Sequence, residues 1–366
     1  MNYESKLNEL NARRALPQHI KEGMTFDSEF SKSIKEDYQE INESGIVKYI
    51  IGAMQPVNSR YTEICFEEGN RVARALNQDL ENHGIYSTHK FQGSVPLDIH
   101  IKGASDVDVL IFHNYITYEI PMASHKSYIP CKEGISMSVR MRKLRLNSEA
   151  ILKGRYPAAK VNINGAKSIA MEGGSLQRKV DIVPAHWHDT LKYQNSNQIE
   201  DREVQLYDKE RDITFGNWPF KHMHLIDQRD IRYSGNVKKV CRLLKNIKAD
   251  ASNHKEILVS LSSYDIAGLV YHMDDQLNSP SFYDLGLLGR VNDYMQSICA
   301  NNCYLGNQLI TPDGSRRILD SDERQAGVLA LTLEVNSLYR DLLKDTAPNL
   351  DESAGRVYLN NRAVYI

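Results

Sequence analysis

FQGSVPLDIHIKGASDVDVLIF, residues 91–112, carries a Gly-Ser pair and, after a short stretch, two aspartates at i and i+2 inside an apolar run. A strand has a side-chain period of two, so Asp106 and Asp108 project from one face while Val107, Val109 and Ile111 enter a core. Two carboxylates side by side repel each other, and one tends to stay protonated. A divalent cation removes the conflict, and two Mg²⁺ ions about 3.5–4 Å apart can activate an attacking hydroxyl and stabilise a leaving phosphate. Gly93 lets the backbone approach a phosphate closely, and Ser94 adds an N–H and a hydroxyl donor. Each piece alone is weak. Asp-x-Asp also describes a solvated strand face, and Gly-Ser an ordinary turn. In this order, and with a third carboxylate downstream, they read as adjacent triphosphate and metal sites.

The rest of the composition sets bounds. With 366 residues, the chain is long enough for two packed lobes or one large domain. A hydrophobic fraction of 41% and a charged fraction of 25% are those of a soluble globular protein. No apolar run is long enough to span a bilayer, and the polar start MNYESKLNEL does not read as a signal peptide. Five scattered cysteines fit reduced thiols in a cytoplasmic protein better than a disulfide framework. A net charge of −2 gives no global field for nucleic acid, so a nucleic-acid surface would need a local basic patch.

Working outward, the apolar residues from Phe30 to Ile50 recur at about helical spacing, which predicts a helix over 27–54, broken at Gly45 and ended by Pro56. A second long helix starts at Asn58 and Ser59 and stops at Gly84, leading into the strand before Gly93. Residues 115–135 show no period. The basic stretch 138–155 reads as an amphipathic helix with a solvated face, or as a basic rim of a nucleotide site. Gly173-Gly174-Ser175 joins two apolar runs into a hairpin. In the returning strand Asp181 stands between Val180 and Ile182, so it faces away from both. If that strand lies beside the one carrying Asp106 and Asp108, three carboxylates converge; otherwise Asp181 is an edge-strand charge. Residues 186–230 read as a long irregular connection.

From Tyr233 onward the pattern is helical. In residues 235–250, Lys238, Arg242 and Lys245 fall on a face away from the apolar stripe, either as a solvated row or as cations for β- and γ-phosphates. Ser262 or Ser263 caps the next helix, whose N-terminus is a second anion site, and Tyr264 is a candidate to stack on a nucleobase. Further helices are expected over 282–303 and 322–345, with a turn at Pro312-Asp313-Gly314. The pairs His186/His188 and His222/His224 lack the partners of a zinc site. Cys299 and Cys303 read as packing residues, and no P-loop, GxGxxG or serine elbow is present.

Four segments, residues 93–109, 179–185, 235–250 and 261–270, resemble the bacterial cyclic GMP-AMP synthase-like nucleotidyltransferases (CD-NTases) of the DNA polymerase β superfamily. The resemblance implies an α+β fold: a polymerase β-like core, with a mixed sheet and a long spine helix, packed against a C-terminal helical lobe, the active site in the cleft between them. The expected division is 1–230 and 231–366. Asp106, Asp108 and Asp181 would bind two Mg²⁺ ions, with Mn²⁺ as an alternative. Gly93 and Ser94 would grip the donor triphosphate, with Lys245 or its neighbours Lys238 and Arg242, and Ser262 or Ser263, opposite. The implied reaction is attack of a ribose 2′- or 3′-hydroxyl on an α-phosphate, twice, to close a cyclic di- or trinucleotide messenger of anti-phage defence. The implied partners are NTPs, ATP among them, and a regulatory protein encoded nearby, with no membrane and no sequence-specific DNA. No zinc-binding insertion like that of the animal DNA sensor is visible, and the final Ile366 departs from relatives ending in a small, conjugated residue. Two other readings stay open: the same chemistry on RNA, protein or linear oligonucleotides, motivated by residues 138–155, and a nucleotide-binding regulatory module without turnover.

Overall fold

The computed structural model describes residues 3–15, 36–128, 134–251, 255–280, 282–300 and 308–366. In chain order the helices and strands are α1 (Tyr3–Arg14), α2 (Asp37–Glu40), α3 (Gly45–Met54), α4 (Ser59–Asn82), β1 (Ser87–Gln92), β2 (Val107–Tyr118), α5 (Met137–Arg155), β3 (Lys160–Asn162), β4 (Ile169–Glu172) and β5 (Val180–Asp189). There follow α6 (Leu191–Ser196), β6 (Glu203–Asp208), β7 (Ile213–Asn217), α7 (Pro219–Arg232), α8 (Asn236–Asp250), α9 (Lys255–Leu258), α10 (Ser263–Tyr271), α11 (Asp284–Ala300), α12 (Asp322–Thr346) and α13 (Glu352–Asn360).

The chain forms two compact units, one of residues 58–97 and 105–225, the other of residues 1–57, 98–104 and 226–366. The expected boundary at 230 falls inside α7, and the described residues before 58 pack with the helical unit, not with the sheet. The reason is the apolar character of α3, GIVKYIIGAM, whose buried residues pack on α8 rather than on a strand.

The sheet unit is built on the order β1-β2-β5-β4-β3, with β6 added to β5 and β7 to β6. Among the described strands, β2 and β5 alone pair in parallel, and the other pairs are antiparallel. Asn58 caps α4 by accepting from the Arg60 N–H, and Gly84, with φ +70°, closes its far end. This long helix packs on β1 and β2 through Ile64, Cys65, Val72 and Leu76, opposite Val107, Val109 and Ile111. The other face carries Leu110, Phe112, Val183, Ala185, Trp187, Val204, Leu206 and Phe220, with the Phe112 and Trp187 rings stacked at 4.0 Å. Because the period is two, Asp108 and Asp181 head this second face, at the start of their strands.

The expected hairpin is β4 and β5. Its turn needs glycine at 174, where φ is +60° and a Cβ would meet the Ala158 carbonyl carbon at 2.7 Å. Residues 186–230 are not an irregular connection. They finish β5 and form α6, β6, β7 and α7, because Val204 and Leu206 alternate inward on a strand otherwise polar. The unpatterned 115–135 region begins as strand, since β2 runs to Tyr118.

The basic stretch is α5, and three of its arginines are engaged within the unit. Arg142 pairs with Asp212 and Arg155 with Asp79. Arg145 is fully buried; it donates to Glu149 at 2.7 Å and to the carbonyls of Ile163, Gly165, Ala166 and Ser168. One guanidinium thus ties down the loop before β4, since its fork of donors satisfies several buried acceptors at once.

In the helical unit, α8 is central, contacting α1, α3, α9, α10 and α12. Asp250 at its end accepts from Tyr49 at 2.8 Å and pairs with Arg13, which also donates to Asn246 at 2.9 Å. The first half of the helix expected over 27–54 lies outside the described residues, as do Cys131 and Cys303; α2 and α3 carry the second half. Cys65, Cys241 and Cys299 are free thiols. Among the described residues no helix is long and apolar enough to cross a membrane.

Arg145→Met is expected to cost about 3–5 kcal/mol, because it leaves several buried carbonyls without their donor and the buried Glu149 carboxylate with Lys209 alone. Urea unfolding of the variant should show a lower midpoint, whereas Arg142→Ala, which removes an exposed pair, should stay within about 1 kcal/mol of the parent.

Candidate active site

Strand β1 ends at Gln92, and the chain turns at once through Gly93 and Ser94. Gly93 has φ +82°, a conformation that side chains disfavour, and a Cβ there would lie 2.5 Å from Asp108 Oδ2. The turn therefore runs directly against an aspartate, and any larger residue would push it away. Ser94 follows Gly93 on the same turn.

Register brings the carboxylates together. Gln92 pairs with Asp108 across the antiparallel β1–β2 ladder, and Asp108 pairs with Asp181 across the parallel β2–β5 ladder. Adjacent strands lie about 4.8 Å apart, so Gln92, Asp108 and Asp181 form one row on one face. Ala170 is the next residue of the row and leaves room above it. Asp106 stands just before β2, and Lys179 reaches it with Nζ 3.3 Å from Oδ2. The convergence expected of Asp181 with Asp108 is what the strand order produces.

The row is under electrostatic stress. Burial first, and the neighbouring Asp106 second, push the Asp181 carboxyl up to about 6, against the pull of Lys179. Asp181 Oδ1 is buried and has no hydrogen-bond partner. An uncompensated carboxylate oxygen beside two further carboxylates is a fitting place for a hard cation, whose oxygen ligands it would supply. Among the described residues, however, no three His, Cys, Asp or Glu side chains are closed round a metal position. The donor set thus fits a divalent metal, with its side chains still to be drawn in.

The candidate triphosphate residues of the helical unit have other employment there. Arg242 is buried and donates to Met54 O at 2.8 Å and Asp98 O at 2.6 Å; Lys245, also buried, donates to Ile99 O at 2.7 Å. Of the three cations expected either to meet the β- and γ-phosphates or to form a solvated row, two lie inside the helical unit on backbone carbonyls, since a long side chain beside an apolar stripe can bury its stem and find a carbonyl. What they hold is the start of the 98–104 segment, where Asp98 adopts φ +54°. Lys238 pairs with Asp227 at 2.7 Å. Ser262, not Ser263, is the N-cap of α10; its hydroxyl and backbone close a capping box with Asp265. Ser263 is the first residue of that helix, and Tyr264 lies beside Arg316, whose guanidinium is 5.7 Å from its ring centre.

Sequence reading missed Gln92 and Lys179. Gln92 Oε1 is buried without a hydrogen-bond partner beside Asp108, and only the strand register reveals it. Lys179 was visible as a cation next to Asp181, but not as the partner of Asp106. The histidine pairs do other things: burial pushes His186 down to about 4, and His188 contacts Thr117 at 2.8 Å.

A mixed sheet that lines up aspartates from two parallel strands, with a Gly-Ser turn at the end of the preceding strand, defines a nucleotidyltransferase of the DNA polymerase β type. No protein-family model matches the chain. It is 38% identical over 302 residues to the cyclic dinucleotide synthase CdnE of Yersinia aleksiciae, covering 82% of this chain and 77% of that protein. A c-di-GMP synthase of Capnocytophaga granulosa is 26% identical over 332 residues, covering 84% and 90%. The solved structure of a STING-associated CdnE c-di-GMP synthase from Capnocytophaga granulosa superposes with a TM-score of 0.71 at 27% identity, over 94% of this chain and 99% of that one. The chain belongs to the bacterial CD-NTases, and it is a nucleotidyltransferase that makes cyclic nucleotides from nucleoside triphosphates.

Two outcomes follow for the row. A carboxyl held near 6 in the folded chain and near 4 when unfolded binds its proton more tightly when folded. Its ionisation therefore destabilises the metal-free fold, the loss beginning as pH rises above about 4 and levelling off above about 6. Asp181→Asn should melt higher than the parent at pH 7.5 in EDTA and equally at pH 4, as read by differential scanning fluorimetry. Gly93→Ala should lower turnover because its Cβ displaces Asp108, and should also lower the melting temperature, since an alanine held at φ +82° costs about 1–2 kcal/mol; turnover measured at a temperature where the melt shows the variant fully folded separates the two.

Proposed function

We propose that the chain joins two ribonucleoside triphosphates into a cyclic dinucleotide at the row of Asp106, Asp108 and Asp181. The observation that carries this is the register of Asp108 with Asp181, beside Asp106 and the Gly93 turn. Two Mg²⁺ ions, when bound, supply the charge that activates the acceptor hydroxyl and balances the leaving pyrophosphate; Mn²⁺ is chemically equivalent for these ligands. Asp106 and Asp108 hold the donor side, and Asp181, whose Oδ1 is buried without a hydrogen-bond partner, faces the acceptor. The N–H groups of the Gly93 turn and the Ser94 hydroxyl donate to the triphosphate. In each of two rounds a ribose hydroxyl oxygen forms a bond to an α-phosphorus, the bond to the β-phosphate oxygen breaks, and pyrophosphate departs. The second round closes the ring.

Guanosine is the base we assign, supported by the relatives named c-di-GMP synthases that cover most of this chain. The reading with RNA or protein as acceptor has less support, because of the basic stretch that motivates it Arg145 is buried and Arg142 and Arg155 are paired with Asp212 and Asp79. A regulatory protein partner remains part of the proposal through the family alone.

Purified protein given all four NTPs and Mg²⁺ is expected to release a phosphatase-resistant product whose mass is that of c-di-GMP, with two pyrophosphates per product. GTP alone should suffice. Asp106→Asn should abolish the product; undiminished synthesis by this variant would remove Asp106 from the metal assignment. A mixed-base dinucleotide would overturn the base, and label in RNA or protein would overturn the acceptor.

A further inference from the structure

Lys179 and Asp106 meet because the backbone sets them side by side. The Val107 N–H donates to the Lys179 carbonyl at 3.0 Å, and Val107 is in register with Val180. Asp106 and Lys179 are thus the next pair at the mouth of the parallel ladder, and the ion pair at 3.3 Å closes it. The two groups are not alike in freedom. Asp106 stands just before β2 on a short side chain, whereas Lys179, 45% exposed against 36% for Asp106, reaches it on a flexible four-carbon stem. An exposed pair of this kind is worth only about 0–1 kcal/mol, so it gives way to a stronger cation.

The rest of the row shows what is missing. Asp181 Oδ1 is buried without a hydrogen-bond partner, and Lys179 does not supply one. No three carboxylates among the described residues are closed round a metal position. Positive charge is present at one end of the row, held by a side chain that can leave.

We infer that Lys179 is an exchange residue: in the metal-free protein its ammonium takes the place of a cation on Asp106, and metal binding releases it to the phosphates of the bound nucleotide. The exchange keeps the row near charge balance in both states. It also places a cation next to the triphosphate without any backbone movement, because Lys179 lies two residues from Asp181 and its carbonyl stays in the ladder. This rests on the three-aspartate reading above.

The test is calorimetric titration of Mn²⁺ without nucleotide into the parent, Lys179→Met, Lys179→Arg and Asp181→Asn, with a melt of each in EDTA to establish folding. Removing a charge that competes with a dication a few ångströms away should tighten Mn²⁺ binding by about 3–10-fold in Lys179→Met, and Lys179→Arg should match the parent. At saturating metal, Lys179→Met should raise the KM for GTP several-fold, with rescue in Lys179→Arg. Unchanged or weaker Mn²⁺ binding in Lys179→Met overturns the exchange, and an unchanged KM overturns the transfer to phosphate. If the parent shows no saturable Mn²⁺ binding that Asp181→Asn removes, the three-aspartate reading itself falls, a result distinct from either.

Discussion

The parallel pairing of β2 with β5 is the constraint on which the site depends. Its register sets Asp108 opposite Asp181, and a slip of one residue would send every side chain of one strand to the other face. Both faces of these strands are occupied, by α4 beneath and by the Phe112–Trp187 cluster above, so no slip is available without exposing a core. Packing of apolar residues along the strands thus fixes the positions of the polar residues at their ends. The carboxylates are held together by groups that have no interest in them.

That confinement explains the electrostatics. Asp181 cannot move from Asp106 and Asp108, and it cannot reach water freely, so burial and repulsion both favour its protonated form. A ligand that brings positive charge relieves both terms at once. Gln92 extends the row with a neutral acceptor, and Lys179 offsets charge at its outer end. The chemistry of phosphoryl transfer, in which negative charge accumulates on attacking and leaving oxygens, needs a site whose own negative charge is already committed to holding cations.

Chemically similar side chains take unlike roles according to where the backbone delivers them. Lys179, on an open strand end, pairs with Asp106. Arg242 and Lys245, on the largely buried α8, hold the carbonyls of Asp98 and Ile99 and of Met54. Residues 98–104 pack with that unit although the chain on either side belongs to the sheet. The tie at Asp98 is tight enough to hold a non-glycine residue at φ +54°, which local sequence alone would not favour. Arg145 shows the same principle in the sheet unit, where a residue of a basic stretch becomes the buried hub of a loop.

By itself the sequence determined the local grammar: the strand period that puts Asp106 and Asp108 on one face, the Gly-Ser turn before them, the cap and stop of α4, the Gly-Gly hairpin that presents Asp181, and the capped start of α10. Each depends on neighbours a few residues apart, where side-chain period and backbone φ suffice. Strands β6 and β7 escaped notice because they are short and half polar, with too few alternations to stand out from a loop. The tertiary structure alone decided that β5 lies parallel to β2 in the register that joins Asp181 to Asp108, that Gln92 and Lys179 complete the row, and that the described residues before 58 belong with the helices of the C-terminal part. These are long-range choices. They are made by which apolar faces can be buried against each other, and nothing within a few residues of Asp181 records its partner across the sheet.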